Sequence, residues 1–168
     1  QLSGVPTICA HYDGVPREKL VVVAPDISRA KVTEAYAKRL GLPLAVVDRR
    51  MGGDGNIQVH GVIGDVTGHD VIFFDDEIIT GRSILEGAAA VKNRGAKKIY
   101  AGCVHGTLTS ETIERLDQSG LEGVAITDTI PLPAGQGNPK IQVCSVASLF
   151  ANAICAIHEE TSISALFN

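Results

Sequence analysis

Two adjacent carboxylates, Asp75 and Asp76, are followed within eight residues by Thr80, Gly81, Arg82 and Ser83. Neighbouring carboxylates accept hydrogen bonds well from vicinal hydroxyls, and Mg2+ takes oxygen from one or two carboxylates while phosphates supply the rest. Hydroxyl residues and a glycine at the start of a helix suit a different group. The first turn of a helix leaves its backbone N–H groups without partners, its dipole favours an anion, and glycine lets the chain approach a phosphate closely. Together the residues fit a ligand that carries hydroxyls or a bound metal at one end and a phosphate at the other. The alternative for the same stretch is a pair of solvated acids at a strand end, with Ser83 capping a helix.

Position decides how much weight the stretch carries. Val71 to Phe74 is a short apolar run of the kind that forms a buried strand. From Ser83 onward the spacing becomes helical, with Ile84, Leu85, Ala88 and Val91 on one side and Glu86, Lys92 and Arg94 on the other. The acids then occupy a loop after the strand, directly before the turn. The rest of the chain repeats this alternation. Strands are expected at 20–24, 43–47, 59–63, 98–104, 124–127 and 141–144. Helices are expected at about 29–40, from Ser110, and at 146–158. Residues 1–19 show no strong period and read as an entry segment or interdomain linker before a domain over 20–168. The pattern predicts an α/β fold, a parallel central sheet flanked by helices on both faces.

Ligands of such sheets bind beyond the carboxyl ends of the strands. Residues 25–30, 49–57, 75–83 and 105–107 collect there, with Asp128 and Thr129 as a further segment. Arg49 and Arg50 lead into a loop containing Gly52, Gly53 and Gly55. That loop reads either as a lid bringing positive charge to a ligand or as a surface loop with solvated arginines.

Totals exclude several classes. A chain of 168 residues, 45% hydrophobic and 20% charged, is one domain with a real core. A net charge of −4 argues against a nucleic-acid surface, and no apolar run approaches the ~20 residues of a membrane span. Cys9, Cys103, Cys144 and Cys155 form no CxxC pair, which points to free thiols, mostly buried, in a cytoplasmic protein, and not to a zinc site.

The stretch from Asp75 to Ser83 resembles the phosphoribosyl-diphosphate signature of the type I phosphoribosyltransferase fold. Its flanks are more specific. Residues 21–26 (VVVAPD), 37–45 (AKRLGLPLA), 62–66 (VIGDV), 127–132 (TDTIPL) and 162–167 (SISALF) look like the C-terminal half of the ribose-phosphate pyrophosphokinase family. The resemblance implies transfer of diphosphate from MgATP to ribose 5-phosphate, giving phosphoribosyl diphosphate and AMP. By position, Asp75, Asp76, Thr80, Gly81, Arg82 and Ser83 would hold the ribose phosphate. Asp26, Ile27, Ser28 and Arg29 would hold diphosphate, with Asp26 near Mg2+, and Arg49 and Arg50 would be the catalytic cations. ATP would bind mainly through an absent N-terminal half or a neighbouring subunit of a homo-oligomer, a dimer or hexamer. Four departures stand out: Ile79 where an Asp is usual, Glu77 where an apolar residue is usual, Arg49 in place of a lysine, and a diphosphate loop that is not glycine-rich. The alternatives are a free-standing phosphoribosyltransferase and a non-catalytic regulatory subunit that binds ribose phosphate.

Overall fold

The computed structural model describes residues 2–51, 57–135 and 137–164. Seven strands form one sheet: β1 (Leu20–Ala24), β2 (Leu44–Met51), β3 (Ile57–Ile63), β4 (Asp70–Ile78), β5 (Ile99–Gly106), β6 (Gly123–Thr127) and β7 (Ile141–Cys144). Their order across the sheet is β3-β2-β1-β4-β5-β6-β7, with β4 at the centre. All neighbours run parallel except β2 and β3. The helices are α1 (Val5–His11), α2 (Ala30–Leu40), α3 (Arg82–Asn93), α4 (Ser110–Asp117) and α5 (Ala147–His158).

Strands buried on both faces send alternate side chains into two cores. Val21, Val23, Val71 and Phe73 point into one core, where Ile84 and Val91 of α3 and Ile113 and Leu116 of α4 meet them. Leu20, Val22, Ile72 and Phe74 point into the other, against Ile8 of α1 and Tyr36 and Leu40 of α2. Tyr36 stacks on Phe74 with ring centroids 4.3 Å apart. The sheet therefore has helices on both faces, as the sequence pattern predicts.

Three elements differ from the sequence expectation. Residues 1–19 are not uniformly irregular. Val5–His11 forms a two-turn helix whose Ile8 and Cys9 are buried, and Tyr12 just beyond it donates a 2.6 Å hydrogen bond to the Ala101 carbonyl. Apolar periodicity ends the central strand at Phe74, yet β4 runs on through both acids to Ile78. The extension is held by β5, which pairs Asp75 with Cys103 and Glu77 with His105. Likewise β2 continues to Met51 because antiparallel β3 pairs with it as far as Ile57, so Arg49 and Arg50 lie on a strand. The glycines of the expected lid, residues 52–56, lie outside the described residues. The cysteines are free: Cys9 and Cys103 are buried, Cys144 is half-buried and Cys155 is exposed. No helix among the described residues is long and apolar enough to cross a membrane.

Candidate functional site

The sheet order reverses between β1 and β4: β1 leads outward to β2 and β3, while β4 leads the other way to β5, β6 and β7. At such a switch point the loops following the two strands diverge and leave a crevice. Residues 25–30 leave β1 there, and residues 79–83 leave β4. Between them lies a cavity of about 210 Å3 lined by Asp26, Arg29, Asp75, Glu77, Thr80, Gly81, Arg82 and Ser83, with Ile78, Ile79 and Ile84 as its apolar part.

The turn before α3 is built as its residue types require. Gly81 precedes α3 with φ +68°, a left-handed conformation that glycine adopts without penalty. It brings no side chain to cap the helix, and Arg82 N has a long 3.4 Å bond to Thr80 Oγ1. Thr112 Oγ1 on α4 donates to the Ile79 carbonyl at 2.9 Å and anchors the turn from behind. The first turn of α3 thus opens on the cavity, where an anion would meet its amides.

The acids are positioned from α2. Thr33 Oγ1 donates to the Phe74 carbonyl at 3.0 Å, and Tyr36 OH reaches the Asp75 carbonyl at 3.4 Å. Arg29 then crosses to both carboxylates. Its Nη1 lies 2.7 and 2.9 Å from the two oxygens of Asp76, and its Nε lies 3.4 Å from Asp75 Oδ1. Burial pushes the Asp75 carboxyl up to about 7, and the bond with Asp76 adds to the rise. That same bond, with Arg29 assisting, holds Asp76 below the ordinary carboxylate range. The two neighbouring carboxyls are therefore pushed in opposite directions, with Asp75 the weaker acid and Asp76 the stronger one facing a guanidinium.

A second hollow of about 230 Å3 adjoins the first and is lined by Asp26, Ile27, Ser28, Arg49, Arg50, Met51 and Ile57. Asp26 is common to both hollows. Its Oδ1 accepts from Ser28 Oγ at 2.5 Å and from Arg29 N at 3.1 Å, which closes a 3-10 turn over Ile27–Arg29. Arg50 is exposed and bonded to Asp48, with Nη2 at 2.7 Å. The side chain of Arg49 is only 5% exposed and bonded to Glu86 at 2.6 Å, while its buried Nε has no partner. Glu86 also takes Arg82 at 2.6 Å. Burial alone would raise Glu86, but the bonds from Arg82 and Arg49 outweigh it and hold the carboxyl below its usual range.

Every residue that the sequence assigns to sugar phosphate or diphosphate thus lies at or beside one of two adjoining hollows. Their pairing is not what local spacing suggests. Glu86, placed on the solvent side by helical period, bridges two arginines, and its i,i+4 spacing from Arg82 is the signal that could have found it. Arg29 contacts the acid pair. Asp128 accepts from Val146 N at 2.8 Å at the start of α5, and His105 Nδ1 meets Thr129 Oγ1 at 3.0 Å. Among the described residues no group of three or more His, Cys, Asp or Glu side chains is placed to hold a metal ion.

A parallel sheet with its crevice at this reversal, and an acid pair leading into an anion turn, defines an α/β protein of the type I phosphoribosyltransferase-like class. A purine phosphoribosyltransferase from Pyrococcus horikoshii superimposes with a TM-score of 0.52 over 84% of this chain and 80% of its own, a likeness of fold at 17% identity. Closer likenesses narrow the class. A phosphoribosylpyrophosphate synthetase from Mycobacterium smegmatis matches with a TM-score of 0.83 and 31% identity over 94% of this chain and 51% of its own. A ribose-phosphate pyrophosphokinase of Clostridium acetobutylicum is 39% identical over 99% of this chain and 53% of its own length. Residues 56–168 match the phosphoribosyl synthetase-associated domain, and the chain belongs to that family. It spans about half the length of the relatives it matches.

Proposed function

We propose that this chain is the sugar-phosphate half of a ribose-phosphate pyrophosphokinase, a transferase of nucleotide biosynthesis. Diphosphate would pass from MgATP to ribose 5-phosphate, giving phosphoribosyl diphosphate and AMP. The observation that carries the reading is the shared cavity of Asp75, Thr80, Gly81 and Ser83, with a second, arginine-lined hollow joined to it at Asp26. In this reading the 5-phosphate rests on the α3 amides with Thr80, Gly81, Arg82 and Ser83, and the ribose hydroxyls displace Arg29 from Asp75 and Asp76. The displaced Arg29, with Asp26, Ile27 and Ser28, turns to the diphosphate. Arg49 and Arg50 offset its growing charge. Such a transfer depends on placement and electrostatics rather than on covalent help from the protein. Mg2+ would screen the phosphates beside Asp26.

ATP is met mainly by residues beyond this chain, in a preceding half or a neighbouring subunit of a cytoplasmic homo-oligomer. The apolar row on α5 supports assembly: Phe150, Ile154 and Ile157 are 50, 64 and 67% exposed. Titration calorimetry with ribose 5-phosphate tests the site. The double change Asp75→Asn with Asp76→Asn is expected to weaken binding at least about hundredfold, because charge-assisted hydrogen bonds to the sugar hydroxyls are lost. Unchanged affinity would remove the assignment.

A second reading has its own support. Ile79, half exposed, lines the cavity where it can neither take a proton nor bind a metal, and Arg49 is locked to Glu86. A subunit that holds ribose phosphate without turning it over fits those two facts. AMP release from MgATP and ribose 5-phosphate by the full-length protein distinguishes the readings: its absence despite sugar-phosphate binding favours the second.

A further inference from the structure

The carboxylates that border the 210 Å3 cavity are not equivalent. Asp75 and its neighbour Asp76 both face Arg29, and Asp26 accepts two bonds that close its own turn. Glu77 faces no cation within ion-pair distance among the described residues. It is exposed, it lines the cavity, and Thr107 Oγ1 on the segment after β5 donates to its Oε1 at 2.8 Å. A carboxylate fixed by one hydroxyl on one oxygen keeps acceptor capacity on the other. Its uncompensated charge attracts hydroxyl donors and repels anions.

We propose that Glu77, oriented by Thr107, is a specificity-determining residue of this cavity that accepts a hydrogen bond from a sugar hydroxyl and disfavours ligands bringing a second anionic group to that wall. The inference rests on the sugar-phosphate reading above and adds a residue to it. It gives the cavity two unlike ends: an anion seat at the start of α3 and an acidic wall at Glu77. A phosphorylated sugar whose hydroxyl at that wall is free satisfies both, whereas one carrying a second phosphate on that hydroxyl does not.

Calorimetry on the full-length protein, with ribose 5-phosphate and inorganic phosphate as separate titrants and no divalent cation, decides the matter. Glu77→Gln should lose about tenfold in affinity for ribose 5-phosphate, the size expected when a charge-assisted bond becomes a neutral one. Inorganic phosphate should bind the variant as well as before, or better. Thr107→Val should lose about threefold on the sugar phosphate alone, since the carboxylate stays but is no longer fixed. A merely structural role would move both titrants in the same direction, and that result overturns the proposal. So does a Glu77→Gln variant that binds ribose 5-phosphate like the parent, an outcome that leaves the sugar-phosphate reading standing. If the parent itself does not bind ribose 5-phosphate, both fall.

Discussion

Asp75 shows how one side chain can carry a cost that the fold tolerates for its site. It is buried near the end of β4, and burial lifts its carboxyl from 3.8 to about 7. A carboxyl raised in the folded state binds its proton more tightly there than in the unfolded chain. Its stabilising contribution is therefore complete below its ordinary value and is lost as pH rises through about 7. Asp75→Asn removes that loss while keeping an oxygen for the 2.8 Å bond from Asp76 N. The variant should melt a few degrees above the parent at about pH 8, and the gap should close towards about pH 4. Thermal melts over that range check it; a gap independent of pH would contradict the assignment of cause. The placing of the two acids beside the Thr-Gly-x-Ser turn was legible in the sequence, because they are neighbours in the chain and the turn follows within eight residues. Their partner was not. Arg29 is 47 residues away in the chain from Asp76, and no local spacing announces a contact set by two strands lying side by side.

At the scale of elements, α3 is held to the sheet by one polar and one steric device. Glu86 binds Arg49 of β2 and Arg82 of its own helix. Arg49 is almost wholly enclosed, so Glu86→Ala leaves a buried guanidinium without its counter-charge and should cost about 3 kcal/mol. The Arg82 side chain is 66% exposed, so its replacement by alanine should cost far less, since exposed pairs contribute little. Urea unfolding of the two variants measures the difference, and equal losses would show that Arg49 is not the determinant. Gly87 supplies the steric device. A Cβ built there meets Phe73 Cε1 at 2.8 Å, so Gly87→Ala should destabilise by about 1–3 kcal/mol although alanine is the better helix former. A neutral or stabilising result in the same assay would mean that Phe73 yields easily. Most elements were legible from period and punctuation: β1 ends before Pro25, and α2 ends at Gly41, whose φ of +66° suits a left-handed cap. What period could not give was the length of β4 and β2, because polar residues at a strand's end are retained by neighbours and not by burial. The helix α1 escapes a reading by period for a related reason. Seven residues with two buried positions carry too short a pattern to count.

For the whole molecule, the open feature is its last helix. Of the twelve residues of α5, Ala153 alone is buried, and Phe150, Ile154 and Ile157 form an exposed row. In the homo-oligomer proposed above, contiguous apolar surface of this kind would be the association face. Ile154→Lys combined with Ile157→Lys should leave the circular dichroism spectrum unchanged and shift the protein to a smaller species in light scattering. A particle size that these two changes do not alter would place assembly on another face.

Asp26 borders both hollows, and its side chain already spans a turn between them. A compact guest can settle on either side of that partition without touching the other. A long one must arch over it and feel the same carboxylate from both flanks. Asparagine at this single position would therefore disturb two guests at once, so that separate defects at the two ends of an extended molecule would share one origin.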